Sequence, residues 1–412
     1  MKAEIIAVGT EILLGDIVNL NSQYLAANLA SLGIDMYYQQ VVGDNKKRIL
    51  YAFDEAYKRS DIIVTTGGLG PTNDDITKEV AAEYFNMNLI KNEESEKRII
   101  KYFESSNRSM PDNNLKQAYV PEGSIVLQND NGTAPGVIIE KDNKVMIILP
   151  GPPKEMKPMF ENSVVPYLQK KSDFVIVSKM IKIAGIGESS VATQIKDILD
   201  SQTNPTIAPY AKDTEVVLRI TAKAENKEKA LNLIKPMQNE VELRFKENVF
   251  TTEDEPIENV VAKMLIDKNL TISTAESCTG GMIAAALINY PGVSKVFLEG
   301  AVTYTNEAKH KRLGVKEETL KKYTEVSKET AAEMAEGIAK NAGTDTSIVT
   351  TGIAGPGGGT KDKPVGLVYI GVYVKGKTIV EKHVFNGNRA KVRLRATARG
   401  LDMLRRELLK IR

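Results

Sequence analysis

The amino-acid sequence predicts an α/β protein of three domains, with an αβ-alternating domain at each end and a small α+β module between them. Three observations predict it. Short apolar runs alternate with helix-period segments over residues 1–169 and again from residue 256 onward, an alternation that builds parallel, doubly wound sheets. The 412-residue length exceeds what one ordinary core holds together. The stretch Thr251-Thr-Glu-Asp-Glu-Pro256 is polar, acidic and closed by proline, so it reads as a boundary between domains.

Taken in order, residues 3–8 form a buried-strand pattern, and a polar loop leads to a periodic helix at 22–31 that ends at Gly33. The apolar run 61–65 enters a glycine loop, a helix follows at 75–85, and further strands are expected at 123–128, 136–140 and 145–149. The middle module, 170–250, reads as a strand at 174–183, a helix after Gly187, a hairpin-like stretch at 206–224 and a charged helix at 226–245. The last domain, 256–412, begins with a helix at 257–268 and a strand at 270–274. A helix at 282–289 follows, and a basic helix closes the chain at 389–411. Ile63-Val-Thr-Thr-Gly67 and Ile348-Val-Thr-Thr-Gly352 echo each other; both end an apolar run in a glycine-rich loop. Each therefore places a candidate site at a strand end.

Composition narrows the chemistry. Lys plus Arg (55) nearly balance Asp plus Glu (53), so no polyanion is expected as the main partner and nucleic-acid binding is not predicted. The one cysteine, Cys278, excludes an intrachain disulfide framework and fits a reducing cytoplasm, the expected location. Only two histidines, His310 and His383, are present, which disfavours zinc sites and Ser-His catalysis and leaves oxygen ligands for any metal. The sequence reads without a signal peptide and without an apolar run long enough for a membrane helix.

In the C-terminal domain, Ser277 sits where Thr271-Ile-Ser-Thr-Ala-Glu-Ser-Cys-Thr-Gly-Gly281 passes from strand to helix. Gly280 and Gly281 let backbone N–H groups approach a ligand, and the helix start favours an oxyanion or phosphate. A serine nucleophile needs a base, and with histidine scarce a desolvated lysine is the natural substitute. Gly300-Ala-Val-Thr-Tyr-Thr-Asn-Glu-Ala-Lys309 offers Lys309, with Tyr304 as a proton relay, although 32 residues separate Ser277 from Lys309 and only the fold can join them. The glycine loop 351–359 and Arg389 suit an oxyanion and a phosphate. Each feature also has a plain reading: a capped turn, a solvated lysine, a long loop, a helix-start arginine. Cys278 is the rival nucleophile by intrinsic reactivity, and a packing residue otherwise.

In the N-terminal domain the strings are Val8-Gly-Thr-Glu-Ile-Leu-Leu-Gly-Asp16 with Asn19 and Asn21, and Thr65-Thr-Gly-Gly-Leu-Gly-Pro-Thr-Asn-Asp-Asp75. Thr66, Gly67, Gly68, Gly70, Pro71 and Thr72 make a phosphate cradle to which Asn21 is expected to contribute. Asp16, Asp74 and Asp75 are candidate ligands for a divalent cation. Asp74 and Asp75 also read as first-turn acids of the following helix. Gly132–Gly136 and Pro150–Glu155 look like rigid loops near the same site.

The strings AESCTGG, AVTYTNEAK, TGIAGPGGG, KPVGLVY and FNGNR, in that order, resemble the CinA C-terminal family, whose members deamidate nicotinamide mononucleotide (NMN) without a cofactor. That resemblance implies Ser277 as nucleophile, Lys309 as base and Tyr304 as the assisting tyrosine. Glu276, Thr279, Gly280, Gly281, Thr351, Gly352 and Arg389 fall in the family strings as substrate-binding residues. Residues 66–75 resemble the molybdopterin-binding fold of MoaB/MogA-type proteins, a three-layer αβα domain, and more closely the CinA N-terminal domain. Related sequences of the latter hydrolyse ADP-ribose to AMP and ribose 5-phosphate with a divalent metal such as Mg, Mn or Co. The middle module is similar to the family's KH-like insert. The resemblance implies a bifunctional enzyme of pyridine-nucleotide salvage, assembled as a homodimer. The alternatives are a pterin-binding protein serving molybdenum cofactor synthesis and a non-catalytic protein linked to competence.

Overall fold

A computed structural model describes residues 1–105, 109–171 and 174–411. The chain divides into two compact units, Met1–Val177 with Ala222–Asn232, and Ser178–Thr221 with Leu233–Arg412.

The first unit carries a six-stranded sheet in the order β2-β1-β3-β8-β7-β6, formed by β1 (Lys2–Val8), β2 (Asp35–Val42), β3 (Ile62–Thr66), β6 (Ile125–Leu127), β7 (Gly136–Lys141) and β8 (Lys144–Leu149). A small separate pair, β4 (Leu89–Lys91) and β5 (Tyr119–Pro121), lies outside it. Side-chain alternation assigns the layers. Ile5, Ile62, Val64 and Ile147 pack with Leu25 and Leu29 of α2 (Leu20–Ser31) and with Met156 and Met159 of α6 (Pro153–Met159). Ile6, Ile63 and Ile148 face Phe53 of α3 (Lys46–Tyr57) and Val80 of α4 (Thr77–Tyr84). The result is the expected three-layer αβα domain. The expectation of an all-parallel sheet needs correction: β1, β2, β3 and β8 are parallel, but β7 runs antiparallel to β8, and β6 to β7. Only Asp142 and Asn143 join β7 to β8, both at positive φ (53° and 60°). A two-residue hairpin turn cannot supply a crossover.

The middle module forms a four-stranded sheet in the order β10-β11-β9-β12, from β9 (Val175–Ile183), β10 (Thr206–Ala211), β11 (Val216–Ala224) and β12 (Val249–Thr251). The hairpin expected at 206–224 is β10 paired antiparallel with β11.

The C-terminal sheet has the order β14-β13-β15-β16-β17, from β13 (Ile272–Glu276), β14 (Phe297–Val302), β15 (Thr346–Gly352), β16 (Leu367–Val374) and β17 (Lys377–Val384). β14, β13 and β15 are parallel, whereas β16 and β17 are antiparallel, turned by Lys375 and Gly376 at positive φ. One face packs Ile272, Ile348 and Ile370 against α11 (Ile257–Asp267), α12 (Met282–Ile288) and α16 (Arg389–Leu409). The other packs Ala275 and Val349 against Leu313 of α13 (Asn306–Leu313) and Met334 and Ile338 of α15 (Lys328–Ala342). The parallel strands β3 and β8 of the first sheet and β13 and β15 of the last finish at glycine-containing loops, where open α/β sheets place their sites.

Candidate active sites

Ser277 follows the end of the central strand β13. Its N–H donates to Thr350 O (3.0 Å), and Thr303 N–H donates to Glu276 O (2.9 Å), so both neighbouring strands fix the turn. The parallel register that pairs Glu276 with Val302 places residues 303–309 beside this turn. Lys309, on α13, is completely buried, and its Nζ lies 3.3 Å from Ser277 Oγ. Nζ also donates to Thr303 O (3.0 Å) and Tyr304 O (3.1 Å), and among the described residues no carboxylate pairs with it. Burial of an unpaired ammonium favours the neutral amine and lowers the Lys309 pKa, against a weaker opposing pull from Glu325. A neutral amine has two N–H bonds and one lone pair. The two carbonyls take the N–H bonds, which leaves the lone pair for the Ser277 hydroxyl.

A cleft of about 280 Å³ opens in front of the pair, lined by Ser277, Cys278, Tyr304, Glu325, Thr351, Gly352 and Arg389 among others. Arg389, the first residue of α16, donates from Nη1 to Gly355 O (2.9 Å) and from Nη2 to the Tyr304 hydroxyl (3.4 Å). Lys309 meets Tyr304 through the backbone carbonyl, not through the phenol. The Cys278 thiol is buried and pushed up to about 11 by desolvation, so it is a protonated packing group at neutral pH.

Four residues expected to bind substrate do other work. Glu276 is fully buried, and its carboxylate accepts from the N–H groups of Gly281 (3.0 Å), Ile283 (3.1 Å) and Ala284 (2.9 Å). The helix start expected to receive an oxyanion is therefore already capped by a residue of the chain. The Thr279 hydroxyl bonds that of Thr350 (2.7 Å) in the interior. Gly280 and Gly281, at φ 62° and 93°, supply the left-handed turn and do not line the cleft. Thr351 is at the wall, with its hydroxyl donating to Glu325 O (2.5 Å). Gly352 must be glycine for packing, since a Cβ there would stand 2.5 Å from Leu367 O. Glu325 was missed by the sequence reading because no motif surrounds it.

The N-terminal cleft, about 780 Å³, gathers strand ends and loops: Gly9 after β1, Thr66 at the end of β3 with Gly67 and Gly68 after it, Gly151 after β8, and Asn19 and Asn21 at the start of α2. The Asn21 amide donates to Thr66 Oγ1 (2.8 Å) and Gly151 O (2.6 Å), and among the described residues its buried Oδ1 has no partner. Gly67 (φ 103°) and Gly68 (φ 67°) touch Val8 O and Thr77 Oγ1 so closely that a Cβ would stand 2.1 Å from either. Gly70, Asp74 and Asp75 line the cleft, as do the unanticipated Glu11 and Asp44, while Pro71 and Thr72 are not part of its lining. The Thr72 hydroxyl lies within hydrogen-bond reach of both Asp74 and Asp75, and its bond to Asp74 holds that carboxyl below its usual range. The following helix starts at Thr77, so the two acids belong to the loop, not to a helix turn. Asp16 does not join them: it follows the Gly15 cap of the short helix Thr10–Leu14, with its N–H on Glu11 O, outside the lining. Among the described residues no three His, Cys, Asp or Glu side chains are grouped as a metal cage. Asp74 and Asp75 fit a cation held by one or two carboxylates and completed by substrate phosphates. Of the two further loops expected here, Gly151–Pro153 lines the cleft and 132–136 does not.

Family models match three consecutive stretches: the "probable molybdopterin binding domain" at 4–170, the "damage-inducible protein CinA KH domain" at 178–251 and the "CinA C-terminal domain" at 254–408. A Clostridium beijerinckii protein, provisionally named a competence-damage inducible protein, is 70% identical over 410 residues and spans 100% of both chains. A Clostridium acetobutylicum protein of the same provisional name is 57% identical over 411 residues, again spanning 100% of both. A crystal structure of competence/damage inducible protein CihA from Agrobacterium tumefaciens is 39% identical, covering 37% of this chain and 96% of that one with a TM-score of 0.36.

Proposed function

Since the chain belongs to the CinA family along its whole length, we propose that its C-terminal domain hydrolyses the amide of NMN to nicotinate mononucleotide and ammonia. One observation carries this reading: a fully buried, unpaired lysine amine 3.3 Å from a serine hydroxyl at the wall of a cleft. Ser277 Oγ attacks the carboxamide carbon while Lys309 Nζ takes the hydroxyl proton. The tetrahedral intermediate collapses by expelling ammonia, to which Lys309 returns the proton. Water activated by the same amine then cleaves the acyl-serine ester, releasing the carboxylate and restoring the Ser277 hydroxyl. Arg389, beside the cleft and the Tyr304 hydroxyl, binds the 5′-phosphate; the Tyr304 ring covers the nucleotide. No cofactor takes part. Incubation of the protein with NMN tests this: ammonia and nicotinate mononucleotide are expected in a one-to-one ratio. Intact NMN after incubation with well-folded protein would sink the amidase reading.

We also propose that the N-terminal domain hydrolyses ADP-ribose to AMP and ribose 5-phosphate, with Asp74 and Asp75 holding a divalent cation against the diphosphate. When bound, such a cation supplies charge neutralisation and a more acidic attacking water. Gly67 and Gly68, packed too tightly against Val8 O and Thr77 Oγ1 to carry a side chain, leave bare main chain at the cleft wall, and the unpartnered Asn21 Oδ1 can accept from a sugar hydroxyl; both support recognition of a phosphorylated sugar. The match to a molybdopterin-binding domain favours a second reading, a pterin carrier. Metal-dependent release of AMP from ADP-ribose separates the two, because a carrier leaves ADP-ribose intact.

A further inference from the structure

Glu325 stands in the C-terminal cleft under unusual constraint. Its predecessor Thr324 has φ 68° and ψ 176°, a backbone region that is nearly reserved for glycine and that persists only where neighbours hold it. Those neighbours are present. Thr351 Oγ1 donates to Glu325 O (2.5 Å), and Lys363 Nζ donates to Tyr323 O (3.1 Å) and Val326 O (2.8 Å). Thr330 Oγ1 donates to Thr324 O (2.7 Å), and Ser327 caps α15 one turn later. All of this fixes the main chain. The Glu325 carboxylate itself is exposed, makes no hydrogen bond or ion pair among the described residues, and lines the same cleft as Ser277 and Arg389.

The lining that holds Ser277 thus carries both a guanidinium, Arg389, and a carboxylate, Glu325, and the Glu325 charge opposes the lowering of the Lys309 pKa by burial. We infer that Glu325 is the specificity-determining residue at the reacting end, favouring a cationic ring that bears a neutral amide and disfavouring the same ring once it bears a carboxylate. The inference rests on the NMN reading above. In NMN the pyridinium is attracted and the amide is indifferent. In nicotinate mononucleotide the new carboxylate meets Glu325 as a like charge, which speeds departure of the product.

Glu325→Gln in the full-length protein tests it through product inhibition. The ratio of the product's inhibition constant to the KM for NMN is expected to fall by about three- to tenfold, since one screened charge at a cleft wall is removed. Glu325 and Cys278 are the titratable groups that act on Lys309, so the acidic limb of kcat/KM should also move to lower pH in Glu325→Gln. A merely structural Glu325 would leave both readouts in place while lowering thermal stability. Active wild type with an unchanged ratio and an unmoved limb in the variant overturns the role of Glu325 and leaves the amidase standing. Wild type that releases no ammonia from NMN overturns both.

Discussion

Lys309 has its pKa lowered from the ordinary lysine value of 10.5, chiefly by burial. Catalysis by the neutral amine therefore predicts a kcat/KM that rises with pH along a limb below that value. The stability consequence has a definite sign. Between the lowered folded pKa and 10.5 the unfolded chain binds the additional proton, so stability rises with pH in that window, and the full penalty stands below it. Lys309→Met fills the same space without a proton to lose. Wild type should therefore gain stability on Lys309→Met as pH climbs from neutral towards 10.5, measured as the difference in Tm; a difference independent of pH would contradict an uncharged, buried base. The neighbouring thiol gives the opposite prediction. With its pKa pushed up to about 11, Cys278 should resist iodoacetamide at pH 7.5, and Cys278→Ser should keep turnover within a few-fold of wild type. At this scale the sequence reveals residue types but not their company. Histidine scarcity pointed to a lysine base, and the family strings pointed to Lys309; neither could place Nζ next to Oγ. Glu325 was invisible because its prominence comes from a strained Thr324 backbone that no local pattern announces.

At the scale of elements, Glu276 separates a structural account from a binding one. Its carboxylate satisfies three N–H groups at the start of α12. Glu276→Ala leaves those donors without their partner and is expected to cost about 2–4 kcal/mol of C-terminal domain stability, read by denaturant unfolding. A substrate contact would instead raise KM and leave the unfolding midpoint alone. The element patterns were legible where periodicity is local: β1, α2, α11 and α16 lie within a few residues of their expected positions. Strand direction was less so. Asp142-Asn143 and Lys375-Gly376 reverse the chain in two residues and make the ends of both sheets antiparallel, although β8 and β16 are as apolar as buried parallel strands. Asp74 and Asp75 read as helix-opening acids, but the helix waits until Thr77, whose hydroxyl is bound to Gly67 O (2.9 Å).

At the scale of the whole molecule, the two candidate sites lie in separate compact units and share no residue. Their activities should therefore separate cleanly. Ser277→Ala is expected to lose ammonia release and keep metal-dependent AMP formation, and Asp75→Asn the reverse; chromatography of both product sets from each variant checks this. Loss of both activities in either variant, with folding intact, would mean the sites depend on each other. The claim on which most rests is the pairing of Ser277 with Lys309, and kcat/KM for NMN in matched, folded Ser277→Ala, Lys309→Met and Cys278→Ser proteins tests it most directly. The first two should each fall by at least about 10³-fold and the third should stay near wild type. Near-wild-type turnover in Ser277→Ala or Lys309→Met, or collapse in Cys278→Ser alone, would contradict the assignment.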